Sequence, residues 1–214
     1  MKKFMALLLV AGMTLSLTAC GGSTDTAKTD QADGKDTFTV GFDQDFPPFG
    51  YVGDDGEFTG FDIEMATECA ARMGKKIVLQ PIDWDAKDME LEAGTIDCIW
   101  NGFTMNGRED QYTWSTPYVD NSQVVVVRSS SGIEKLSDLK GKILVVQSDS
   151  SALAALTGDE AEQKNKDLAD SLGTLQQVED YNTAFMNLES GSADAVGLDL
   201  GIATYQLSRK GDDF

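Results

Sequence analysis

Apolar and polar residues along the chain form a pattern in which short strands and helices alternate. The segments TFTVGF and KIVLQ, which begin at residues 37 and 76, are rich in β-branched and aromatic residues and predict strands. A first helix is predicted to end at Gly74 and carries four apolar residues on one face: Phe61, Met65, Cys69 and Met73. A second helix is predicted between Asp85 and Gly94, and the strand TIDCIW follows it. This alternation predicts an α/β fold with parallel sheets.

One stretch of the chain matches another in register. MELEAGTIDCI at residues 89–99 aligns with MNLESGSADAV at residues 186–196. In each, a helix pattern ends at glycine, an aspartate follows, and a short apolar strand comes next. Units of this kind can look alike by chance, but the shared methionine, leucine, glutamate, glycine and aspartate favour a true repeat. The match therefore predicts two similar α/β lobes.

The segment NSQVVVVRSSSG, residues 121–132, lies between the two matching units. Its four consecutive valines predict a strand buried on both faces. The serine- and glycine-rich run that follows is typical of a hinge or crossover. We therefore expect the change of domain after residue 128, with lobe 1 at 37–128 and lobe 2 at 129–214.

The N-terminus has the pattern of a secretory signal. Two lysines precede an apolar run at residues 4–17, which is too short and wrongly flanked for a stable membrane span. The run ends in LTAC, which resembles the lipobox of bacterial lipoproteins and would make Cys20 the lipidated residue. Ordinary signal cleavage beside an incidental cysteine is the alternative. Residues 21–36 contain no large apolar side chain and predict a flexible tether between residues 1–20 and the folded part.

Composition excludes several classes of function. The chain has 17 basic and 36 acidic residues, a net charge of −19, and such a field repels nucleic acid and anionic lipid. It has no histidine, which excludes Ser-His-Asp and Cys-His catalysis and every zinc site that uses histidine. Apart from Cys20, only Cys69 and Cys98 remain, and their apolar surroundings favour two buried free thiols over a disulfide. We expect no metal ion and no cofactor.

Polar residues follow the ends of several predicted strands. Ligands bind beyond the carboxyl ends of parallel strands, so two such lobes would carry these residues to a shared cleft. Phe46 and Trp84 would add flat apolar walls. The candidate binding residues are Asp43, Phe46, Trp84, Asn101, Gly102, Thr104, Arg108, Ser150, Ser151 and Asp199.

The chemistry of this set fits a free amino acid. Arg108 can grip a carboxylate with two parallel hydrogen bonds. Thr104, the amides around Gly102 and the helix N-terminus at Ser150 and Ser151 could share the same oxygens. Asp199, together with Asp43, could receive an ammonium group. Carboxylate grip, ammonium acceptor and aromatic walls together describe an amino-acid pocket.

Each of these residues also has a purely structural interpretation. Arg108 precedes two acidic residues and could be a solvated surface charge. Asp199 and Ser150 could simply cap the helices that follow them. Phe46 and Trp84 could be ordinary core aromatics. Their shared position at the ends of strands, and not any one residue, indicates a ligand site.

From about residue 37 to its end, the chain resembles the extracytoplasmic solute-binding proteins of polar amino-acid ABC importers. The motifs that carry the resemblance are DQDFPPFGY, GEFTGFDIEMATECAARMG, LEAGTIDCIWNGFTMNGR, YTWSTPY, LKGKILVVQSDSSA and LESGSADAVGLD. The resemblance implies the type II periplasmic-binding-protein fold, with two α/β lobes that close over a ligand. Val124–Val127 would form one half of a two-strand hinge.

The same resemblance implies roles for the candidate residues. Arg108 would bind the ligand α-carboxylate with help from Thr104 and Ser151, and Asp199 would bind the α-amino group. The pocket for the ligand side chain would be formed by Asp43, Phe46 and Trp84. The implied protein is a monomer outside the cytoplasm, held on the membrane through Cys20, that passes a polar amino acid to ABC permease subunits.

Three features depart from the family pattern. The loop from Thr104 to Arg108 is one residue shorter than usual, and Asp149 stands where a glycine is common. The family also continues beyond RKGDDF into a second hinge strand and back into lobe 1, so we expect a fragment whose first lobe is incomplete. Two alternatives share the fold: a dehydratase acting on cyclohexadienyl acids, with Asp43 or Glu57 as general acid, and a ligand-binding sensory ectodomain.

Overall fold

The computed structural model describes residues 36–211 and residue 214. The predicted signal segment, Cys20 and nearly all of the predicted tether lie outside the described residues. The described strands are β1 (Thr37–Phe42), β2 (Asp45–Phe46), β3 (Gly50–Val52), β4 (Phe58–Thr59), β5 (Lys76–Pro81), β6 (Cys98–Ile99), β7 (Gln123–Val127), β8 (Ile143–Gln147), β9 (Thr174–Val178) and β10 (Ala195–Asp199). The described α-helices are α1 (Phe61–Arg72), α2 (Lys87–Ala93), α3 (Ser151–Thr157), α4 (Gln163–Ser171), α5 (Tyr181–Ser190) and α6 (Leu200–Lys210).

Two mainly parallel sheets form the framework of two α/β lobes. In the first, β1 lies between β5 and β6 and pairs in parallel with both. The second has the order β7-β10-β8-β9, in which β10, β8 and β9 are parallel and β7 is antiparallel to β10. A small antiparallel sheet of β2, β3 and β4 follows β1 in the chain. The predicted α/β architecture with two lobes is confirmed.

The second sheet is covered on both faces because successive residues of a strand point to opposite sides. On β8, Val145 packs in one apolar cluster with helices α5 and α6, and its neighbours Leu144 and Val146 pack in another with helix α3. Leu144, Val145 and Val146 are all fully buried. Burial on both faces explains why KILVVQ reads as a continuous apolar run.

The two helix-glycine-strand units of the internal match have the same local structure. Helices α2 and α5 end at Gly94 and Gly191, whose φ angles of 69° and 79° are in the left-handed region that favours glycine. Each glycine then leads to a short strand, β6 or β10. The matching letters therefore correspond to matching backbone geometry in the two lobes.

Three details of the predicted pattern are wrong. The valine strand β7 lies at the edge of the second sheet, and only Val126 in it is buried. The buried face of α1 runs through Ile63, Ala66 and Ala70, whereas Phe61 and Met73 are 47% and 46% exposed. The small side chains of Ala66 and Ala70 let this face of the helix pack against the sheet. The spacing of the larger apolar residues pointed to a different face. The segment TIDCIW forms a two-residue strand, β6, and not a full-length one.

Strand β7 pairs with the second sheet from Gln123 onward. The sheet pairing therefore changes before residue 123, upstream of the predicted lobe boundary after residue 128, and that boundary stays a prediction.

Cys69 and Cys98 are free thiols, as predicted, but they are half-buried and not fully buried. Burial raises the pKa of Cys98 to about 12. Across residues 36–211 and 214, no helix is long and apolar enough to span a membrane.

Candidate ligand-binding site

The strand ends of the two lobes meet around one small cavity of about 20 Å³, which is room for about one water molecule. Nine of the ten predicted binding residues line it: Phe46, Trp84, Asn101, Gly102, Thr104, Arg108, Ser150, Ser151 and Asp199. Phe103, Gln147 and Asp149 complete the lining. The residues that follow the strand ends therefore meet at one cavity, although they are up to 153 positions apart in the chain (199 − 46).

Arg108 lies at the centre of this group and contacts both lobes. Its guanidinium donates through Nη1 to the Thr104 carbonyl oxygen and to Ser151 Oγ, each at 3.3 Å, and through Nη2 to the Asp149 carbonyl oxygen at 2.9 Å. The guanidinium carbon Cζ also lies 5.0 Å from the centre of the Phe103 ring. Only 8% of Arg108 is exposed, and burial lowers its pKa, although a guanidinium remains charged at neutral pH. The interpretation of Arg108 as a solvated surface charge is wrong.

The shortened loop before Arg108 still delivers the arginine to the cavity. Gly107 has a φ of 76°, and the Arg108 amide donates to the Met105 carbonyl at 2.9 Å, so the loop closes in a tight turn. Trp114 Nε1 donates to the Arg108 carbonyl at 3.1 Å and fixes the far side of the turn. The positive φ of Gly107 allows this turn.

Asp199 occupies the N-cap position of α6, but its side chain does not cap the helix. Oδ1 accepts hydrogen bonds from Gln123 Nε2 at 2.6 Å and from Asn121 Nδ2. Asn121 Nδ2 also donates to Thr104 Oγ1 at 3.0 Å. Burial raises the pKa of Asp199, and its partners are neutral amides. The side-chain donors that hold the carboxylate in the cavity are therefore neutral, and the positive charge that acts on it is that of Arg108.

Ser150 and Ser151 have different tasks at the start of α3. Ser150 Oγ accepts from the Leu153 amide at 3.2 Å, so Ser150 is the N-cap of the helix. Ser151 Oγ instead accepts from Arg108 and links the helix to the opposite lobe. The capping interpretation of Ser150 is confirmed, and Ser151 is the hydroxyl that contacts the arginine.

Asp43 does not line the small cavity and lies one layer behind it. Its Oδ2 accepts from Gln147 Nε2 at 2.8 Å, and its backbone amide donates to Asn101 Oδ1 at 2.9 Å. It is 6% exposed, and burial raises its pKa to about 6. Asp43 faces a second cavity of about 320 Å³ whose other acidic walls are Asp45, Asp83, Glu179 and Asp180.

The aromatic residues serve as core and cavity wall at once. Phe46 packs 5.8 Å from Phe49 and 5.9 Å from Tyr181, ring centre to ring centre, and belongs to the larger apolar cluster. Trp84 meets Phe103 edge to face at 5.0 Å, and its indole donates to the Asp149 carbonyl at 3.3 Å. Phe49 and Phe103 hold the two rings within the first lobe, and Tyr181 and Asp149 contact them from the second.

The Gly102 amide is already engaged on the side away from a ligand. It donates to the Tyr118 hydroxyl at 3.2 Å, and that hydroxyl donates to Asp62 Oδ1 at 2.9 Å. Gly102 has a φ of 57°, which turns the chain at the cavity rim. The Gly102 amide itself is therefore not free for a ligand in the arrangement observed, and the expectation for the other amides around it stays a prediction.

Residues 38–188 match the family of bacterial extracellular solute-binding proteins, family 3. This match covers more than half of the chain. The chain belongs to that family. The family is extracellular, so this solute-binding protein acts outside the cytoplasm.

Curated relatives extend the match. The L-cystine-binding protein TcyJ of Escherichia coli (strain K12) is 31% identical over 212 residues, which cover 98% of this chain and 74% of TcyJ. The arginine-binding extracellular protein ArtP of Bacillus subtilis (strain 168) is 33% identical over 183 residues, which cover 85% of this chain and 66% of ArtP. Both relatives are named as binding proteins and not as enzymes.

Solved structures of amino-acid complexes have the same fold. An ABC uptake transporter substrate-binding protein from Streptococcus pneumoniae with bound histidine has a TM-score of 0.76 and 36% identity, covering 82% of this chain and 71% of that one. An ancestral arginine-binding protein bound to glutamine has a TM-score of 0.72 and 32% identity, covering 84% and 76%. The type II two-lobe fold of this solute-binding protein is thereby confirmed.

Sequence reasoning missed several residues at this family-3 site. Gln147 is the last residue of β8, so the rule of strand ends could have found it. Asp149 has a φ of 49°, a left-handed conformation for a residue other than glycine, which agrees with its place where glycine is common. Lys87, Asn121 and Gln123 gave no signal, because a lysine in a first helical turn and amides beside a valine strand are ordinary surface patterns.

Proposed function

We propose that this protein captures a free polar amino acid between its two lobes and delivers it to the permease subunits of an ABC importer. The observation that carries the proposal is the convergence of Arg108 with residues of both lobes at a buried cavity that also contains Asp199. A buried arginine and a buried aspartate at one cavity match the two charges of an amino-acid zwitterion. The naming of relatives as cystine-, arginine- and histidine-binding proteins supports the same class of ligand.

In this proposal the ligand α-carboxylate binds Arg108, Thr104 and Ser151. The α-ammonium binds Asp199, whose two amide partners hold the carboxylate without neutralising it. The side chain of the ligand lies among Phe46, Trp84, Asn101 and Gly102, with Ser150 and Asp43 supporting the walls. Because the cavity holds only about one water molecule in the arrangement observed, the ligand enters from a more open arrangement, and the lobes then close over it around a larger cavity than this one.

Isothermal titration calorimetry on matched variants tests these roles. Arg108→Lys and Asp199→Asn should each weaken amino-acid binding by roughly 30-fold or more, because the lysine loses the paired guanidinium hydrogen bonds to the ligand carboxylate and the asparagine loses the charge that faces the ligand ammonium. Arg72→Ala is the matched control, since Arg72 is an exposed arginine paired with Glu68 on α1. If folded Arg108 and Asp199 variants bind as tightly as the control, the assigned site is wrong.

We also propose that Cys20 carries a lipid that holds the protein on the outer face of the bacterial cell membrane as a monomer. The lipobox-like sequence LTAC at the end of the apolar segment supports this proposal. Cys20→Ala should move the protein from the membrane fraction to the soluble extracellular or periplasmic fraction and leave amino-acid binding unchanged. Retention of the variant on membranes would contradict the lipid anchor.

A further inference from the structure

Asp149 is the residue of the second lobe on which three residues of the first lobe converge. Its carbonyl oxygen accepts from Arg108 Nη2 at 2.9 Å and from Trp84 Nε1 at 3.3 Å. Its carboxylate forms an ion pair with Lys87 Nζ and lies 3.7 Å from Arg108 Nη2. The loop between β8 and α3 thus contacts the opposite lobe through both its backbone and its side chain.

Lys87 is the unusual member of this group because it is a buried cation that the ligand-binding roles do not use. It is 1% exposed, and its ammonium lies 5.1 Å from the centre of the Trp84 ring and 5.9 Å from that of Phe103. Burial lowers its pKa, as expected for an ammonium removed from water. A buried charge is costly unless a partner compensates it.

The compensating partner comes from the other lobe. Inside its own lobe, Lys87 Nζ donates to the Trp84 carbonyl at 3.5 Å, the limit of a hydrogen bond. The charges of Asp88 and Asp85 in the same lobe also raise the pKa of Lys87 and oppose the effect of burial, but the Asp88 carboxylate accepts from the Tyr112 hydroxyl. Asp149 has the carboxylate that touches the ammonium, and its side chain is still half exposed to water. The two charges can meet in this way only when the lobes are together.

We propose that Lys87 and Asp149 form an interlobe ion pair that stabilises the closed arrangement and positions Arg108 for its ligand. Closing the lobes brings the Asp149 carboxylate to the Lys87 ammonium, which lies beside the Trp84 and Phe103 rings of its own lobe, and Asp149 supplies a charge that makes the burial of Lys87 tolerable. The same movement brings the Asp149 carbonyl to Arg108 Nη2. The effect on ligand affinity rests on the proposed function, whereas the effect on lobe closure does not.

The proposal predicts a strongly non-additive pair of substitutions. Asp149→Gly suits the left-handed backbone at position 149, so it removes the carboxylate without adding strain. It removes the carboxylate that contacts Lys87 in the closed form and should weaken binding roughly tenfold or more in titrations with arginine, histidine and cystine. Lys87→Met leaves the Asp149 carboxylate without its partner, but that carboxylate is half exposed to water, so the loss of ligand affinity should be smaller. The double variant Lys87→Met/Asp149→Gly should recover most of the affinity lost in Asp149→Gly.

Label-to-label distances test lobe closure without any ligand. Met89 on α2 and Met186 on α5 are each 66% exposed and lie one in each lobe, so Met89→Cys and Met186→Cys can carry spin labels after the native cysteines are changed to serine. Ligand-free protein should contain a population at the short distance, which Asp149→Gly moves to longer distances and the double variant restores. Glu68→Gln, which breaks an exposed ion pair within α1, is the control and should change neither distance nor affinity.

Additive effects of the two substitutions, or label distances that Asp149→Gly leaves unchanged, would overturn the proposal. If no amino acid binds the unsubstituted protein, the proposed function fails, and the label distances still decide whether the ion pair closes the lobes. Asp149→Asn, which keeps the size of the side chain, repeats the test should the glycine variant change the loop.

Discussion

Buried charges at the cavity differ in how the protein compensates them. Arg108 is held by carbonyl and hydroxyl oxygens and Lys87 by a carboxylate, whereas Asp199 has only neutral amide donors. Neutral donors orient a carboxylate without cancelling its charge. At the scale of single residues, the site is therefore prepared for a cation beside Asp199 and for an anion beside Arg108.

Asp62 offers a test of buried charge away from the ligand. It is fully buried near the start of α1, and burial raises its pKa from 3.8 to about 6. A carboxyl whose pKa is raised in the folded state favours folding at low pH, and this contribution is lost as the pH rises from about 4 to about 6. The loss amounts to about 3 kcal/mol for a shift of this size.

We expect Asp62→Asn to remove this loss and still accept the Tyr118 hydrogen bond. The variant should therefore be more stable than the unsubstituted protein at pH 8, and its gain in stability should be only about a third as large at pH 4.5. Urea unfolding at the two pH values measures this comparison. An equal effect of Asp62→Asn at both pH values would show that the Asp62 carboxyl does not titrate in this range.

Secondary-structure elements were predictable wherever a local signal sets them. Glycine ends both helices of the internal repeat, and every predicted strand is present, although β6 is short. The buried face of α1 could not be predicted, since it depends on how closely the helix approaches the sheet. The same limit applies to the site, where strand ends predict Arg108 and Asp199, but no local signal marks Lys87, whose carboxylate partner Asp149 lies 62 positions away in the opposite lobe.

Glycine substitutions test the elements directly. Gly94→Ala and Gly191→Ala would place a Cβ in open space, so each should cost only the left-handed backbone penalty of about 1–2 kcal/mol. Gly60 also has a positive φ, 125°, but a Cβ there would lie 2.3 Å from the Phe49 carbonyl oxygen. Gly60→Ala should therefore be clearly more destabilising than the other two. Chemical denaturation of the three variants measures the order, and similar losses would contradict the packing at Gly60.

The whole molecule works through the approach of its two lobes. Each lobe contributes part of the cavity, and the contacts of Arg108 with Ser151 and Asp149 cross from one lobe to the other. A ligand that binds between the lobes adds its own contacts to both and shifts the population toward the closed form. Ligand binding and global stability are therefore coupled in this protein.

A thermal-denaturation panel of the twenty amino acids, cystine and ornithine tests the central claim most directly. A ligand at about 100 times its dissociation constant adds about 2.7 kcal/mol to the stability of the protein. We predict that one or a few polar amino acids raise the midpoint of unfolding by several degrees, and that Arg108→Lys abolishes the shift. A cooperative transition that no amino acid moves, or an equal shift in Arg108→Lys, would contradict amino-acid capture at this site.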